Sequence, residues 1–250
     1  MLHSLLSAVS RRAARYRCSK PFRMRNSEPL VSFTFDDVPD SAYLNGASVL
    51  EEHAVLGTFY ISAGTCGTTA DRWRVIDRHQ VRALHERGHE IGCHTFSHVK
   101  VDTIGATELD AECLRNREFF RQLCGDIRVT NFCYPFGRLS LASKQQLQQR
   151  FDSCRGIYPG INAGTIDLGL LTVIELYDRT LPQDKLQRVL RETCDRNGWL
   201  IFYTHDVADP PSGLGCSPAL LRSTIRAVQT AGLSCLPVRV ALTKIGYHPA

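Results

Sequence analysis

Short apolar segments alternate with longer amphipathic segments along most of the chain. The apolar segments predict about seven β-strands, at residues 30–35, 57–61, 90–93, 129–133, 153–155, 173–177 and 199–203, with one or two more in 233–242. Between them, apolar positions recur at helical spacing and predict helices at residues 40–54, 71–87, 106–123, 141–150, 182–196 and 217–231. This alternation predicts an α/β domain with a parallel sheet, and leaves open whether the sheet is doubly wound or closed into a barrel.

Polar side chains stand at the carboxyl ends of several predicted strands. They are Asp36, Asp37, His94, Tyr134, Arg155 and His205. The carboxyl ends of parallel strands meet at one edge of the sheet, where barrel enzymes carry their active sites. The sequence therefore predicts that these side chains share one site.

Two histidines at this edge have the spacing of a metal-binding pair. His94 and His98 are four residues apart, so both imidazoles can point to one side of a single helical turn. Asp36 and Asp37 offer a third ligand, and because adjacent residues of a strand point to opposite faces, one carboxylate can bind a metal while the other faces a reacting water. Capping of the following helix is the alternative role for the two carboxylates.

A second histidine pair repeats the same spacing at His85 and His89. Gly88 lies between them and is a residue at which helices end. We expect the chain to turn there, so that the two rings diverge and both histidines have structural roles.

Four segments together resemble the polysaccharide deacetylase family, also known as the NodB-homology or chitooligosaccharide deacetylase family of carbohydrate esterases. They are Thr34–Asp37, His94–His98, Phe132–Gly137 and Leu200–His205, in the order that the family shows. The resemblance covers approximately residues 32–242. It implies a distorted, incomplete (β/α) barrel of about seven parallel strands. It also implies a metal-dependent hydrolase that removes acetyl groups from N-acetylglucosamine units of a poly- or oligosaccharide.

The resemblance assigns a role to each candidate residue. Asp37, His94 and His98 would hold one divalent metal ion, with Zn expected and Co or Ni as alternatives. Asp36 would be the general base and His205 the acid that protonates the leaving amine. The oxyanion and the substrate would be bound in the third motif, by the backbone amide of Phe136 and by its neighbour Tyr134.

The chain departs from the family pattern at Val38, Cys133 and Tyr134, and the departure at Cys133 suggests a substitute. The third motif usually carries an Arg where this chain has Cys133. The next predicted strand ends in Arg155, and neighbouring strands lie about 4.8 Å apart, a gap that a guanidinium side chain can bridge. We therefore expect Arg155 to orient the Asp36 carboxylate. The alternative is that Arg155 anchors the glycine-rich segment 156–164.

The positive charge of the chain lies at its amino-terminal end. Of 250 residues with a net charge of +5, seven basic residues precede the first acidic one, Glu28. The remainder carries 23 basic and 25 acidic side chains, about −2, which argues against a nucleic-acid partner. We expect a basic tail at residues 1–27, solvated or frayed, and a catalytic domain at 28–250. A weak interfacial helix that contacts anionic lipid is the alternative for the tail.

The sequence also favours a cytoplasmic location. The few apolar residues of the tail precede its arginines, which is the wrong order for a secretion signal, and no run of about 18 apolar residues could form a transmembrane helix. The ten cysteines include no closely spaced pair, and several lie in apolar segments, as is typical of reduced thiols. The sequence leaves the oligomeric state open.

Two other functions are compatible with the same residues. One is an amide hydrolase that acts on a small cytoplasmic N-acyl compound on the same scaffold. The other is a catalytically inert protein that binds a metal or a sugar.

Overall fold

The computed structural model describes residues 2–69 and 72–249, and residues 2–8 by their backbone alone. The strands within these residues are β1 (Pro21–Arg23), β2 (Leu30–Asp36), β3 (Thr58–Ile61), β4 (Glu90–Cys93), β5 (Asn131–Cys133), β6 (Ser153–Pro159), β7 (Thr165–Asp167), β8 (Leu171–Glu175), β9 (Trp199–Thr204) and β10 (Ser234–Cys235). The helices are α1 (Leu2–Tyr16), α2 (Ser48–Glu52), α3 (Arg78–Glu86), α4 (Ala106–Leu123), α5 (Leu141–Arg150), α6 (Gln183–Asp195), α7 (Pro218–Thr230) and α8 (Val238–Lys244). A π-helical stretch, Ala42–Ala47, leads into α2.

Seven parallel strands form a closed barrel in the order β2, β3, β4, β5, β6, β8, β9. The ring closes because β2 also pairs with β9, from Leu30 opposite Trp199 to Phe35 opposite Thr204. The predicted (β/α) barrel of about seven strands is therefore confirmed. Its distortion lies between β4 and β5, which share one register pair, and between β6 and β8, where the register shifts.

The barrel strands are buried on both faces. All seven residues of β2 and all six of β9 are buried, as expected for parallel strands covered by helices outside and by packed side chains inside. The interior contains a polar cluster, because Arg155 on β6 lies across the ring against Asp36 on β2, Tyr60 on β3 and Tyr203 on β9. Such a buried charged cluster requires internal partners.

One predicted helix is shorter than the sequence pattern suggested. Residues 71–87 were expected to be helical, but α3 begins at Arg78, where Asp77 and Gln80 form a capping box. Residues 72–76 belong to a loop in which Val75 bridges to Pro39, and the predicted start at Asp71 lies outside the described residues. This loop lies at the carboxyl end of β3, beside the barrel opening.

The carboxyl-terminal prediction is correct in part. Residues 233–242 were expected to form one or two strands, and β10 is a two-residue strand beside the start of β2. A helix, α8, follows it from Val238 instead of a second strand. Pro237 is compatible with this start because its fixed φ suits the entry to a helix.

The amino-terminal segment is ordered, so the expectation of a solvated or frayed tail is wrong. Residues 2–16 form α1, Ala14 is fully buried, and β1 pairs with β7. The buried ammonium of Lys144 donates to the carbonyls of Ala14 at 2.8 Å and Arg17 at 2.6 Å. A domain boundary near residue 27 stays a prediction.

The lipid-facing alternative for this segment also stays a prediction. Val9 and Tyr16 of α1 are 64% and 68% exposed, and they lie on the side of the helix away from Ala14. No helix of the described residues combines the length and the apolar character needed to cross a bilayer.

A buried carboxylate ties α1 to the barrel opening. The side chain of Asp102 is 1% exposed and accepts from Arg138 at 2.8 and 3.0 Å and from Arg11 of α1 at 3.4 Å. Arg138 directly follows Gly137 of the third motif. One carboxylate therefore connects the amino-terminal helix to a segment beside the predicted site.

Candidate active site

A cavity of about 450 Å³ opens at the carboxyl ends of the barrel strands. It brings together all the predicted site residues except Arg155, which is buried beneath it. The lining includes Asp36, Asp37, His94, His98, Tyr134, Phe136 and His205, together with Arg72, Trp73, Gly137, Ile157, Glu175, Tyr177, Tyr203 and Leu214.

Asp37, His94 and His98 form a compact group of possible metal ligands. One ligand atom from each lies within 4.8 Å of the others. The Asp37 Oδ1 atom is 3.0 Å from His98 Nε2 and 3.4 Å from His94 Nε2. Burial opposes ionisation of Asp37, but the hydrogen bonds from the two imidazoles outweigh it and hold the pKa of this carboxyl well below its ordinary value. Two imidazole nitrogens and an ionised carboxylate fit a first-row divalent cation.

A backbone contact orients His94 for this role. His94 is 2% exposed, and its Nδ1 atom lies 2.8 Å from the carbonyl oxygen of Cys133. A carbonyl can only accept, so Nδ1 carries a hydrogen, and a cation that displaced the proton from Nε2 would find its lone pair there, on the side of Asp37. Contacts of this kind fix the tautomer of metal-binding histidines.

The two histidines converge, but not through the predicted helical turn. Residues 94–98 form a loop in which Thr95 and His98 have positive φ, 61° and 53°. Glu112 of α4 holds this loop, because its carboxylate accepts from the backbone amides of Phe96 at 2.9 Å and Ser97 at 2.7 Å. The buried carboxylate of Glu112, and not the geometry of a helical turn, therefore holds the loop in which His94 and His98 converge.

Asp36 faces a different set of partners from its neighbour Asp37. Its carboxylate forms an ion pair with Arg155, which is fully buried, and lies 3.5 Å from the Cys133 thiol. Burial alone would raise the pKa of the Asp36 carboxyl, but the charge and hydrogen bond of Arg155, together with His94 and His205, outweigh burial and lower it. The expected contact between Arg155 and Asp36 is present, since Arg155 and Cys133 are register partners on neighbouring strands.

The third motif makes a sharp turn at the edge of the cavity. Phe136 has a φ of 58°, its ring is 50% exposed and its centroid lies 4.4 Å from that of His98. Gly137 also has positive φ, and a Cβ there would collide with Ile157, so the turn requires glycine. Tyr134 is buried and its hydroxyl donates to the carbonyl of Gly169 at 3.0 Å. Tyr134 therefore supports the turn from below.

His205 lines the opposite side of the cavity. Its Nδ1 atom lies 3.1 Å from the carbonyl oxygen of Leu214 and 3.4 Å from the hydroxyl of Tyr177. The carbonyl contact places a hydrogen on Nδ1 and leaves Nε2 available for proton transfer. The indole of Trp73 stacks on the imidazole with ring centroids 5.8 Å apart.

Sequence reasoning missed several residues of the cavity, above all Trp73, Glu175, Tyr177 and Tyr203. Trp73 lies within residues 71–87, which were expected to form one helix. The signal that could have found it is the capping sequence from Asp77 to Gln80, which starts α3 after Trp73 and leaves the indole in the loop beside the site.

The competing histidine pair does not converge, as predicted. His85 contacts Asp126, whereas His89 contacts Glu51 and the backbone amide of Gly57. The turn at Gly88, whose φ is 89°, separates the two rings.

Known proteins resemble the chain over different lengths. A chitooligosaccharide deacetylase of Sinorhizobium fredii is 29% identical over 117 residues, which are 46% of this chain and 50% of that protein. The chain thus spans about half the length of this curated relative.

Two solved structures share the fold. Bacillus subtilis PdaA, a family 4 carbohydrate esterase, has 16% identity and a TM-score of 0.58, over 98% of this chain and 90% of that one. A family 4 pseudoenzyme from Bacillus anthracis has 16% identity and a TM-score of 0.62, over 90% of this chain and 69% of that one. At such identities, the likeness shows the fold alone.

The family model for polysaccharide deacetylase matches residues 23–150, about half of the chain. This range includes both carboxylates, both histidines of the ligand group and the third motif. The chain therefore belongs to the polysaccharide deacetylase family.

Proposed function

We propose that the protein hydrolyses the N-acetyl amide of N-acetylglucosamine units in a poly- or oligosaccharide. One observation carries the proposal: adjacent carboxylates have separate partners. Asp37 faces two imidazoles, and Asp36 faces a buried guanidinium. Amide hydrolysis with a metal requires this division, because one carboxylate must bind the cation and another must accept a proton.

Asp37, His94 and His98 would hold the divalent cation. Their donor set favours Zn²⁺, with Co²⁺ or Ni²⁺ as substitutes. When bound, the cation would polarise the amide carbonyl and lower the pKa of a water molecule toward about 7. His94 and Asp37 enter the site from strand ends, so the ligands stand on rigid elements of the barrel.

Asp36 would accept the proton of the attacking water. Arg155 acts through Asp36 and is a positioning residue, since it is fully buried and does not line the cavity. Its ion pair fixes the direction of the carboxylate and keeps it ionised, at the cost of a less basic group. The Cys133 thiol lies on the other carboxylate oxygen.

The remaining steps fall to the third motif and to His205. The backbone amide of Phe136, in the turn at the edge of the cavity, would donate to the oxyanion of the tetrahedral intermediate. His205 would then transfer a proton from Nε2 to the leaving amine, while Leu214 holds the ring through Nδ1. Trp73 covers one face of this imidazole.

The shape of the cleft favours a saccharide over a small N-acyl compound. A second cavity of about 360 Å³ adjoins the first. The two share Asp37, Arg72, Trp73, His98 and Phe136. The open space therefore continues past the ligand group along aromatic and polar surfaces that suit sugar rings.

Acetate release tests the proposal. Chelated protein would be given Zn²⁺, Co²⁺ or Ni²⁺ and assayed with chitooligosaccharides of increasing length and with a panel of small N-acyl compounds. We expect metal-dependent release that rises with chain length. Release from the small compounds alone would favour the small-molecule amide hydrolase. No release from any substrate by metal-loaded protein would favour the inert binding protein.

A further inference from the structure

A second group of metal-binding side chains lies at the opposite end of the barrel from the active site. His85 is in the last turn of α3, and Cys124 and Asp126 follow the end of α4. These positions precede β4 and β5, so they lie at the amino ends of the strands. One ligand atom from each side chain lies within 4.8 Å of the others, and the same is true of Asp37, His94 and His98. Among the described residues, one other group of possible ligands is equally compact, and it shares His94 with the active site.

The contacts within this group already join all three side chains. His85 Nε2 lies 3.0 Å from Asp126 Oδ1. The Cys124 thiol lies within 4.8 Å of a carboxylate oxygen of Asp126, and their proximity raises the pKa of the thiol and lowers that of Asp126. The imidazole, the thiol and the carboxylate are therefore oriented toward a common point.

The backbone around the group is fixed by neighbouring contacts. Arg82, one turn before His85, donates to the carbonyl of Leu123 at 2.7 Å and joins α3 to the end of α4. The amide of Ile127 donates to the carbonyl of Cys124 at 3.1 Å, which closes a turn that presents both Cys124 and Asp126. The three side chains thus project from elements that are already held together.

The donor set identifies the class of cation. A thiolate and an imidazole favour Zn²⁺ over Mg²⁺ or Ca²⁺, which prefer oxygen ligands. Tetrahedral Zn²⁺ would hold these donors about 3.5 Å apart, a spacing that fits within the 4.8 Å that encloses the three ligand atoms. Binding would displace the thiol proton to solvent, and the exposure of Asp126, 77%, leaves room for a water as fourth ligand.

We propose that His85, Cys124 and Asp126 form a second Zn²⁺ site, which links the end of α3 to the segment between α4 and β5. The site is independent of the proposed function, because it lies at the other end of the barrel. It predicts that the protein binds more metal than the active site alone can hold, and that one of the ions has a thiolate ligand.

Metal content of the full chain tests this site. Chelated protein would be dialysed against Zn²⁺ and its bound metal measured for the wild type, Cys124→Ser, His85→Gln and His98→Ala. We expect two equivalents in the wild type and one in each variant, with acetate release unchanged in Cys124→Ser. Cys194→Ser removes an exposed free thiol on α6 and is the matched control, with two equivalents.

Cobalt spectroscopy provides the second readout. Co²⁺-loaded wild type and His98→Ala should show a thiolate-to-cobalt charge-transfer band, which Cys124→Ser should lack and Cys133→Ser should keep. A single equivalent in the wild type that Cys124→Ser retains, or a band that survives in Cys124→Ser, would overturn the second site. Loss of metal in His98→Ala with no change in Cys124→Ser would overturn the second site and leave the proposed function standing. Loss of metal in Cys124→Ser with no change in His98→Ala would leave the second site standing and overturn the metal site of the proposed function.

Discussion

Cys133 and Arg155 are register partners on neighbouring parallel strands, and both side chains reach the carboxylate of Asp36. The guanidinium pairs with one carboxylate oxygen and the thiol lies 3.5 Å from the other. A side chain from either strand can therefore orient Asp36. Arg155 contacts Asp36 from the strand next to the one on which the family resemblance led us to expect an Arg.

Arg155→Ala should lower turnover by about 10- to 150-fold, because a charge-assisted hydrogen bond contributes roughly 1.5 to 3 kcal/mol. The change also leaves a buried carboxylate unpaired, so the free energy of unfolding should fall. Steady-state kinetics at a temperature where the variant is folded, with bound metal measured in parallel, separate the two effects.

Cys133→Arg combined with Arg155→Ala should recover part of the turnover. Arg188→Ala, on the exposed surface of α6, is the control. Wild-type turnover in Arg155→Ala would show that this residue does not position the base.

Asp36→Asn should keep the active-site metal and lose turnover by about 100- to 10,000-fold, the usual effect of removing a general base. Asp37→Asn is the reciprocal variant, and it should lose both metal and turnover because it removes a ligand. The ratio of bound metal to protein and the rate of acetate release would be compared for the two variants. If Asp36→Asn loses metal and Asp37→Asn retains it, the two carboxylates have exchanged roles.

His98→Ala should lose the active-site metal without unfolding. His98 lies in a loop at the strand ends, where its partners are Asp37, His94 and Phe136 and not the apolar core. Bound metal and the thermal unfolding midpoint would be measured, with His79→Ala, an exposed histidine of α3, as control. A variant that fails to fold would indicate a structural metal at this position.

His89 should make the stability of the protein depend on pH. Its Nδ1 atom accepts from the Gly57 amide at 3.0 Å, so the ring is neutral and donates from Nε2 to Glu51. Burial lowers the pKa of His89 from its ordinary value of 6.5, with Arg87 acting in the same direction and Glu51 against it. Below pH 6.5 His89 is protonated in the unfolded chain, whereas in the folded protein it stays neutral until the pH reaches its lower folded-state pKa. The stabilisation is therefore complete above this pH and is lost as the pH falls toward the folded-state pKa.

Urea unfolding of His89→Gln on either side of pH 6.5 tests this dependence. The variant should show a smaller loss of stability toward acid than the wild type. His79→Gln, on the exposed side of α3, should retain the wild-type slope. Identical slopes in the wild type and His89→Gln would contradict the prediction.

Alternation of buried strands and amphipathic helices was sufficient to predict an α/β domain with a parallel sheet, because each buried strand is a continuous apolar run. The barrel itself was implied by the family resemblance and not by the alternation. The alternation also predicted the place of the site, since Asp36, His94 and His205 follow such runs directly. The conformation of the segment between His94 and His98 could not be predicted, because the carboxylate that holds it comes from Glu112 on the next helix. Nothing near that segment in the sequence indicates the contact.

Contacts between distant segments account for the other differences. Trp73 reaches His205 only because the loops after β3 and β9 meet at the barrel opening. His85 has its partners 39 and 41 residues later, at Cys124 and Asp126. Gly88 indicated correctly that His89, four residues away, is not its partner, but local spacing cannot reveal a group assembled from two separate helix ends.

The buried carboxylate of Asp102 makes the first residues of the chain relevant to protein engineering. A truncation at residue 28, the boundary that charge alone suggested, would remove Arg11 from Asp102 and leave Arg138 as its remaining partner. It would also strip the Lys144 ammonium of two backbone acceptors. Shortened versions of this protein should therefore be screened for altered metal and saccharide binding as well as for yield, because the contact from α1 through Asp102 reaches Arg138, directly after the turn of Phe136 and Gly137.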